Sequence, residues 1–236
     1  MTNSARCFLS LAGTALLAVS TVAVCSSMAI ASSLPVGGVV FPVPGAADVG
    51  GTLVASIGPA PFITATFNGS LLSSVYSGDT SNPYDPTGSL GLLTFTYLLS
   101  NNNTSADGIE RMEVSSFDPF STDVSYKTPN SGLVPEYADR ATSATVGFSF
   151  DSAFGGAGAL SPGLTSALLV IHTDSKVRVT GMASIIDSHT GTAIALVPTF
   201  TNVPEPAGIV LLGLGMAGVL FVVRRKHRRK HDRIAA

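Results

Sequence analysis

The sequence predicts an all-β fold for residues 52–202, an antiparallel β-sandwich of Ig-like or jelly-roll-like type. Short segments in this region alternate apolar and polar residues with a period of two, as half-buried strands do. Clusters of Gly, Asn, Asp, Ser and Pro separate these segments, which is typical of turns. Apolar runs near both ends of the sequence add a predicted N-terminal signal peptide and one predicted C-terminal transmembrane helix.

The individual strands follow from the alternation, and about eight or nine short ones are expected. They are predicted at 62–67, 93–99, 111–115, 146–150, 168–171, 177–179, 185–186 and 193–197. Loops are predicted at 77–88, 101–108, 118–131 and 155–163, with a single helical turn over 139–145. The Pro/Gly-rich lead before the sandwich, residues 32–51, is expected to be a poorly ordered arm or an edge strand. Side chains expected to point inward are Phe95, Tyr97, Val146, Phe148, Phe150, Leu168 and Val170.

Residues 1–31 have the features of a secretory signal peptide. Arg6 supplies the positive charge, 8–24 is the apolar stretch, and Ala29 and Ala31 satisfy the small-residue cleavage rule. Cleavage there makes Ser32 the first mature residue. A lipoprotein site at Cys25 is the alternative, but the residue before it is Val24 rather than a small residue.

This cleavage also removes both cysteines of the chain, Cys7 and Cys25. The mature protein is therefore expected to have no disulfide, no thiol nucleophile and no cysteine metal ligand. An exported domain without disulfides must be held together by its apolar core.

Charge is distributed unevenly along the chain. The whole sequence has a formal net charge of −2, but residues 32–202 contain five basic and thirteen acidic residues, a net charge of −8. An acidic domain of this kind repels nucleic acid, so nucleic acid is not an expected partner.

The compensating positive charge follows a second apolar run, residues 207–223, which contains no charged side chain. Its 17 residues reach the lower limit of about 17 for a membrane-spanning helix. The basic residues after it predict a cytoplasmic tail over 224–236 by the positive-inside rule. They are Arg224, Arg225, Lys226, Arg228, Arg229 and Lys230.

Immediately before the apolar run lies Val203-Pro204-Glu205-Pro206. Each proline fixes its own φ and restricts the residue before it, so this segment is expected to be stiff and extended. The order of motif, apolar helix and basic cluster resembles the C-terminal PEP-CTERM sorting signal of exported proteins of Gram-negative bacteria. The resemblance implies recognition by an exosortase, a membrane-embedded cysteine protease or transpeptidase-like enzyme, through Pro204, Glu205 and Pro206.

The same resemblance implies a location. The precursor is expected to cross the inner membrane once, with a periplasmic ectodomain, and the processed protein to reach the cell surface or the extracellular space. Segments 94–117 and 162–170 resemble ectodomains that accompany this signal, which implies a β-rich secreted domain and no particular chemistry.

The sequence offers no catalytic or cofactor site, so the ectodomain is not expected to be an enzyme. His172 continues an apolar strand, and His189 lies in a predicted hairpin turn. Gly147 to Asp151 misses the last position of a nucleophile elbow. Glu110 and Glu113 are three apart and face opposite sides of a strand. With Asp107 they leave a calcium site open, although no EF-hand spacing is present.

Two functions remain. The first is a non-enzymatic cell-surface or extracellular-matrix protein that is sorted through its tail. The second is a β-sandwich that binds carbohydrate, with exopolysaccharide suggested by analogy with the sorting signal. Exposed aromatic rings often form sugar sites, and Tyr84, Tyr126 and Tyr137 are predicted to lie in loops.

Overall fold

A computed structural model describes residues 32–45, 49–127, 132–155 and 158–200. These residues form thirteen β-strands and no α-helix, so none of the described segments is a helix able to cross a membrane. The strands are β1 (Ser32–Ser33), β2 (Val39–Val40), β3 (Val43–Pro44), β4 (Thr52–Ile63), β5 (Asn68–Ser77), β6 (Leu93–Asn101), β7 (Arg111–Val114), β8 (Thr122–Lys127), β9 (Tyr137–Asp139), β10 (Val146–Ser149), β11 (Leu168–Thr173), β12 (Val177–Ile186) and β13 (Thr190–Thr199).

The strands form two sheets. Sheet A has the order β1-β8-β11-β6-β5-β4, with β3 also paired to β8, and sheet B has the order β13-β12-β7-β10-β9-β2. Apart from the parallel pair β3–β8, every paired strand in the described residues is antiparallel. The predicted all-β class with antiparallel sheets is confirmed.

One apolar core joins the inner faces of the two sheets. Phe95 and Tyr97 of β6 belong to the same cluster of buried side chains as Val146 and Phe148 of β10. Phe95 also contacts Phe117 edge to face, with ring centroids 6.1 Å apart. These positions and Phe150 lie inward as predicted.

The predicted inward positions of β11 are wrong. Leu169 and Ile171 belong to the core cluster, whereas Leu168 and Val170 do not. Both faces of this central strand are covered, so its side chains are apolar without alternation. The sequence pattern therefore could not indicate which face lies inward.

Several predicted boundaries are also wrong. The predicted strand 62–67 spans the turn between β4 and β5, where the Thr64 hydroxyl accepts a hydrogen bond from the Phe67 N–H at 3.0 Å. Strand β8 lies inside the predicted loop 118–131, so Tyr126 is on a strand, and Tyr137 is on β9. Residues 140–145 form bends and a turn without a helix.

Residues 32–45, called the N-terminal arm here, contribute an edge to each sheet. Strands β1 and β3 pair with β8, while β2 pairs with β9. Between them Leu34 is 1% exposed and belongs to the core cluster. The Leu34 N–H donates to the Thr122 carbonyl at 2.9 Å, and the Thr122 hydroxyl donates to the Leu34 carbonyl at 2.8 Å. The predicted arm is therefore an integral edge of the fold.

The outer faces of the two sheets differ. Residues 78–92 lie over the outer face of sheet A, where Asn82 donates to the Thr173 carbonyl at 3.0 Å. The outward residues Thr94, Asp123 and His172 are consequently buried. The outer face of sheet B keeps partly exposed side chains, including Arg111 and Tyr137.

Candidate functional site

The sorting residues predicted from sequence lie outside the described residues. These are Val203, Pro204, Glu205 and Pro206, the basic cluster from Arg224 to Lys230, and the cleavage positions Ala29 and Ala31. The apolar segment 207–223 lies outside them as well. The structure does show how the chain is held on its way to this segment.

The last strand is fixed to the core near its end. Strand β13 is the edge of sheet B, yet Leu196 is hydrogen-bonded by buried side chains of sheet A. The Tyr97 hydroxyl donates to the Leu196 carbonyl at 2.7 Å, and the Leu196 N–H donates to the Ser73 hydroxyl at 3.0 Å. Burial raises the pKa of Tyr97 far above its usual value, so the phenol stays protonated and able to donate.

Beyond β13 a second contact holds the chain. The ring of Phe200 stacks on that of Phe120, with centroids 4.6 Å apart and an interplanar angle of 23°. Phe120 is 8% exposed and Phe200 is 50% exposed. This stack, which we call the exit stack, is the last ring contact along the chain within the described residues.

Phe120 also borders a pocket of about 430 Å³ between the N-terminal arm and the 118–122 segment. Arg140 and Tyr84 line it. The Arg140 guanidinium donates to the carbonyls of Phe117 and Ser143 at 2.9 and 2.7 Å, so it joins two loops. Burial, with a smaller effect of the Asp123 charge, raises the pKa of Tyr84 to about 12. Tyr84 was predicted in a loop and lies in one.

A buried histidine lies between two carboxylates on the outer side of sheet A. His172 Nδ1 is 3.4 Å from Asp123 Oδ1, and Nε2 is 3.5 Å from Asp79 Oδ2. Burial lowers the pKa of His172, but the contacts with Asp123 and Asp79 outweigh burial and raise it overall. Burial raises the pKa of Asp79, whereas hydrogen bonds from His172 and Ser81 lower it strongly overall.

This cluster connects the loop of residues 78–92 to strands β8 and β11 and does not form an accessible site. His172 is 2% exposed, and both of its ring nitrogens face carboxylates. Any two of these three residues are at least 44 positions apart in the sequence, so no local sequence signal predicts that they are in contact. These polar contacts hold residues 78–92 against the outer face of sheet A.

The outer face of sheet B carries an aromatic cluster, called the aromatic platform here, of Phe41, Tyr137 and Phe154. Phe154 contacts Phe41 and Tyr137 edge to face, with centroids 5.6 and 5.4 Å apart. Phe41 is 59% exposed and Phe154 is 64% exposed. Sequence analysis identified Tyr137 as a candidate, but not the two phenylalanines that meet it.

Polar side chains continue this face beside the platform. Ser149 of β10 pairs with Tyr137 on one side and with Arg111 on the other. Arg111 Nε donates to Glu113 at 2.8 Å, and its Nη1 lies 2.6 Å from Asp139. At about 4.8 Å between strands, Arg111 lies about 10 Å from Tyr137 along the sheet. Rings and hydrogen-bonding groups therefore share one surface.

The remaining candidates do not assemble into a site. His189 lies in the β12–β13 hairpin turn, as predicted, and Ser149 lies on a strand rather than a nucleophile elbow. Glu113 is engaged by Arg111. Across the described ranges no three His, Cys, Asp or Glu side chains are grouped to hold a metal ion, so Asp107, Glu110 and Glu113 form no such group.

Comparison with known proteins identifies the tail. Residues 202–226 match the family model described as the PEP-CTERM protein-sorting motif. No curated protein and no solved structure matches the chain. The matched range includes Pro204, Glu205 and Pro206, the apolar segment and the first basic residues, which are the features that sequence analysis assigned to sorting. The chain therefore carries a PEP-CTERM protein-sorting motif, the signal of an exported exosortase substrate with a membrane-anchored C-terminal segment.

Proposed function

We propose that this chain is a non-enzymatic surface or extracellular-matrix protein delivered by exosortase processing. The observation that carries the proposal is the sorting motif at residues 202–226. In the precursor, 207–223 spans the inner membrane, 224–236 lies in the cytoplasm and the β domain lies in the periplasm. Cleavage near Pro204–Pro206 then releases the domain to the cell surface or beyond.

The site geometry supports a role without catalysis. The histidine with raised pKa, His172, is buried between two carboxylates and inaccessible to a substrate. The exposed His189 contacts the hydroxyls of Ser188 and Thr66, at 3.1 and 3.5 Å, on a hairpin turn.

The test is processing in a host that carries the enzyme. The wild-type protein should lose 224–236 and most of 207–223, as measured by immunoblot and intact mass. Glu205→Ala should accumulate as the longer membrane-bound precursor, since it removes the carboxylate of the motif. Glu110→Ala, at an exposed glutamate of the β domain, is the matched control and should be processed normally. A wild-type protein that keeps its full tail in this host would refute the proposal.

Topology is tested separately. A periplasmic reporter fused after Asn202 should be active, and the same reporter fused after Ala236 should be inactive. Activity of both fusions would show that 207–223 does not span the membrane.

The aromatic platform favours a second candidate, binding of a neutral polysaccharide. Two neighbouring rings that are more than half exposed form an apolar patch, and such patches are found at ligand-binding surfaces. Arg111, Glu113 and Asp139 on the same face supply donors and acceptors for hydroxyl groups. The net charge of −8 over residues 32–202 disfavours acidic polymers and leaves neutral ones.

Affinity electrophoresis of the processed protein in gels containing dextran or a soluble β-glucan tests this candidate. Neutral polysaccharide should retard the wild-type protein, and Phe41→Ala combined with Phe154→Ala should abolish retardation. Phe200→Ala removes an exposed ring elsewhere and should behave as wild type. Equal mobility of all three proteins in every gel would argue against a sugar-binding platform.

A further inference from the structure

The pocket beside the N-terminal arm has the size and lining of a site for a small molecule. It has a volume of about 430 Å³, which is within the range of known ligand sites. Leu34 of the arm, Tyr84 of the 78–92 segment and Phe120 line it with apolar and aromatic groups. Among the described residues that line it, Arg140 is the one basic side chain. We call this cavity the arm pocket.

The guanidinium of Arg140 is buried without a negative partner. Arg140 is 3% exposed. Its guanidinium donates to the carbonyls of Phe117 and Ser143 and to the Thr122 hydroxyl, over distances of 2.7 to 3.1 Å. All of these acceptors are neutral, and within the described ranges no carboxylate forms an ion pair with Arg140. Because buried charges in proteins are normally paired, this cation favours an anion in the pocket beside it.

Arg140 also has a donor left for such an anion. A guanidinium has five N–H groups. Nε donates once and Nη2 twice, whereas Nη1 donates once, to Thr122. The second N–H of Nη1 has no acceptor among the described residues, and Thr122 itself lines the pocket. Burial raises the pKa of Tyr84 to about 12, so its hydroxyl stays protonated and is a second donor in the lining.

The surrounding charges limit the kind of anion. Asp118 lines the pocket and is exposed. Burial lowers the pKa of Arg140, and the negative charge of Asp118 partly offsets this effect. A dianion such as phosphate would be repelled by Asp118 and by the net charge of −8 over residues 32–202. A carboxylate has a single charge, and an ammonium or hydroxyl group on the same molecule can donate to Asp118.

We propose that the arm pocket binds a small molecule that has one carboxylate and, at its other end, ammonium or hydroxyl donors. The carboxylate accepts hydrogen bonds from Nη1 of Arg140 and from the Tyr84 hydroxyl. The donors face the exposed carboxylate of Asp118, and the apolar part of the molecule packs against the rings of the lining. An α-amino acid and a sugar acid share this chemistry, and molecules of this size fit the volume of the pocket.

Isothermal titration calorimetry of the purified full-length protein in detergent tests the proposal with two matched pairs of probes. L-Phenylalanine is compared with L-phenylalaninamide, and D-galacturonate with D-galactose, so that only one member of each pair has a carboxylate. At least one carboxylate probe should bind, and its matched probe should bind at least about 10-fold more weakly, as expected for a lost hydrogen bond to a charged group. Failure of both carboxylate probes to bind, or equal affinities within each pair, would overturn the proposal. No processing enzyme is involved, so the result is independent of the proposed sorting.

Two variants locate the carboxylate. Tyr84→Phe removes one donor and should weaken binding about 2- to 12-fold, whereas Tyr126→Phe, on β8 and outside the pocket lining, should bind as wild type. Arg140→Gln removes the charge and should weaken binding at least about 10-fold. Because it also loses the contacts with Phe117 and Ser143, its fold is checked by circular dichroism. Wild-type affinity of Tyr84→Phe would place the carboxylate elsewhere and overturn the proposal.

Asp118→Asn distinguishes the two sources of the ligand. It removes a negative charge but keeps an acceptor for hydroxyl groups. Binding of phenylalanine should weaken about 2- to 5-fold, as expected for an exposed ion pair, and binding of galacturonate should be at least as tight as in wild type. Asp107→Asn is the matched control, because Asp107 is an exposed acid bonded to Asn101 at the far end of β6. Unchanged binding of phenylalanine, or weaker binding of galacturonate, in Asp118→Asn would contradict the placement of the donors.

Discussion

Replacing His172 by Gln should remove a pH-dependent part of the stability of the β domain. The imidazole lies 3.4 Å from Asp123 and 3.5 Å from Asp79, and all three side chains are at most 5% exposed. The opposing effects of burial and of these carboxylates leave the pKa of His172 above its ordinary value of 6.5. A folded-state pKa above the unfolded one means that protonation of His172 stabilises the folded protein.

The direction of the pH dependence follows. The contribution of His172 is complete below about pH 6.5 and is lost as the pH rises through the folded-state pKa. Asp79 affects the stability of the folded protein at acidic pH. Burial raises its pKa, but the hydrogen bonds from His172 and Ser81 outweigh burial, so its folded-state pKa is below 3.8. Its contribution is present above about pH 3.8 and is lost as the pH falls further. Stability should therefore be highest between these two limits.

The magnitude follows from the contacts. Hydrogen bonds to charged groups contribute about 1.5–3 kcal/mol, and contacts of 3.4–3.5 Å belong to the weaker part of that range. For a domain of this size each kcal/mol corresponds to about 2–4 °C in melting temperature, so a loss of about 1.5–2 kcal/mol in His172→Gln should lower Tm by about 3–8 °C at pH 5.5. The difference from wild type should shrink by pH 9.

Thermal unfolding of the purified protein, followed by circular dichroism between pH 5 and pH 9, measures this effect. His189→Gln is the matched control, because that histidine is exposed on a hairpin turn and should leave the pH profile unchanged. A gap in Tm between wild type and His172→Gln that is equal at pH 5.5 and pH 9 would refute the assigned role of the protonated imidazole.

Two further variants test the core. Tyr97→Phe should lower the free energy of unfolding by about 1 kcal/mol in urea titration, because the Leu196 carbonyl loses its donor; an unchanged midpoint would contradict that role. Phe148→Ala should cost about 3–5 kcal/mol in the same assay, whereas Phe41→Ala should cost less than about 0.5 kcal/mol, since only Phe148 is buried. Similar losses in both variants would show that the assigned core is wrong.

The sequence pattern predicted the strands in which apolar residues alternate with polar ones, because this alternation follows the burial of each side chain. Phe95 and Tyr97 of β6 alternate with Thr94 and Thr96, and the inner face was identified correctly. Strand β8 was missed because its sequence, Thr122 to Lys127, contains polar residues on the face covered by loops. Asp123 there is buried against His172, a partner 49 positions away. Such covering is a tertiary effect that overrides strand propensity.

The functional features divide in the same way. The sorting motif is a continuous segment whose stiffness, apolar length and charge are all local, so the sequence alone predicted it. The aromatic platform unites Phe41, Tyr137 and Phe154 from three distant segments. The sequence indicated Tyr137 by residue type only. The exit stack joins Phe120 to Phe200, 80 positions later, and no local pattern indicates that pairing.

The N-terminal arm has a consequence for biosynthesis. Leu34 and its partner Thr122 are 88 positions apart, so at about 5–20 residues per second the arm waits about 4–18 s for its partner strand to be synthesised. The first part of the β domain to be translated is therefore fitted only after much of sheet A exists. From the time they are synthesised until the arm pairs with them, β8 and β9 present unpaired edges, which are the surfaces through which β proteins exchange strands or aggregate. A chain that lacks residues 32–44 would keep the edges of β8 and β9 unpaired. The arm of a neighbouring chain could then pair with them in the same way.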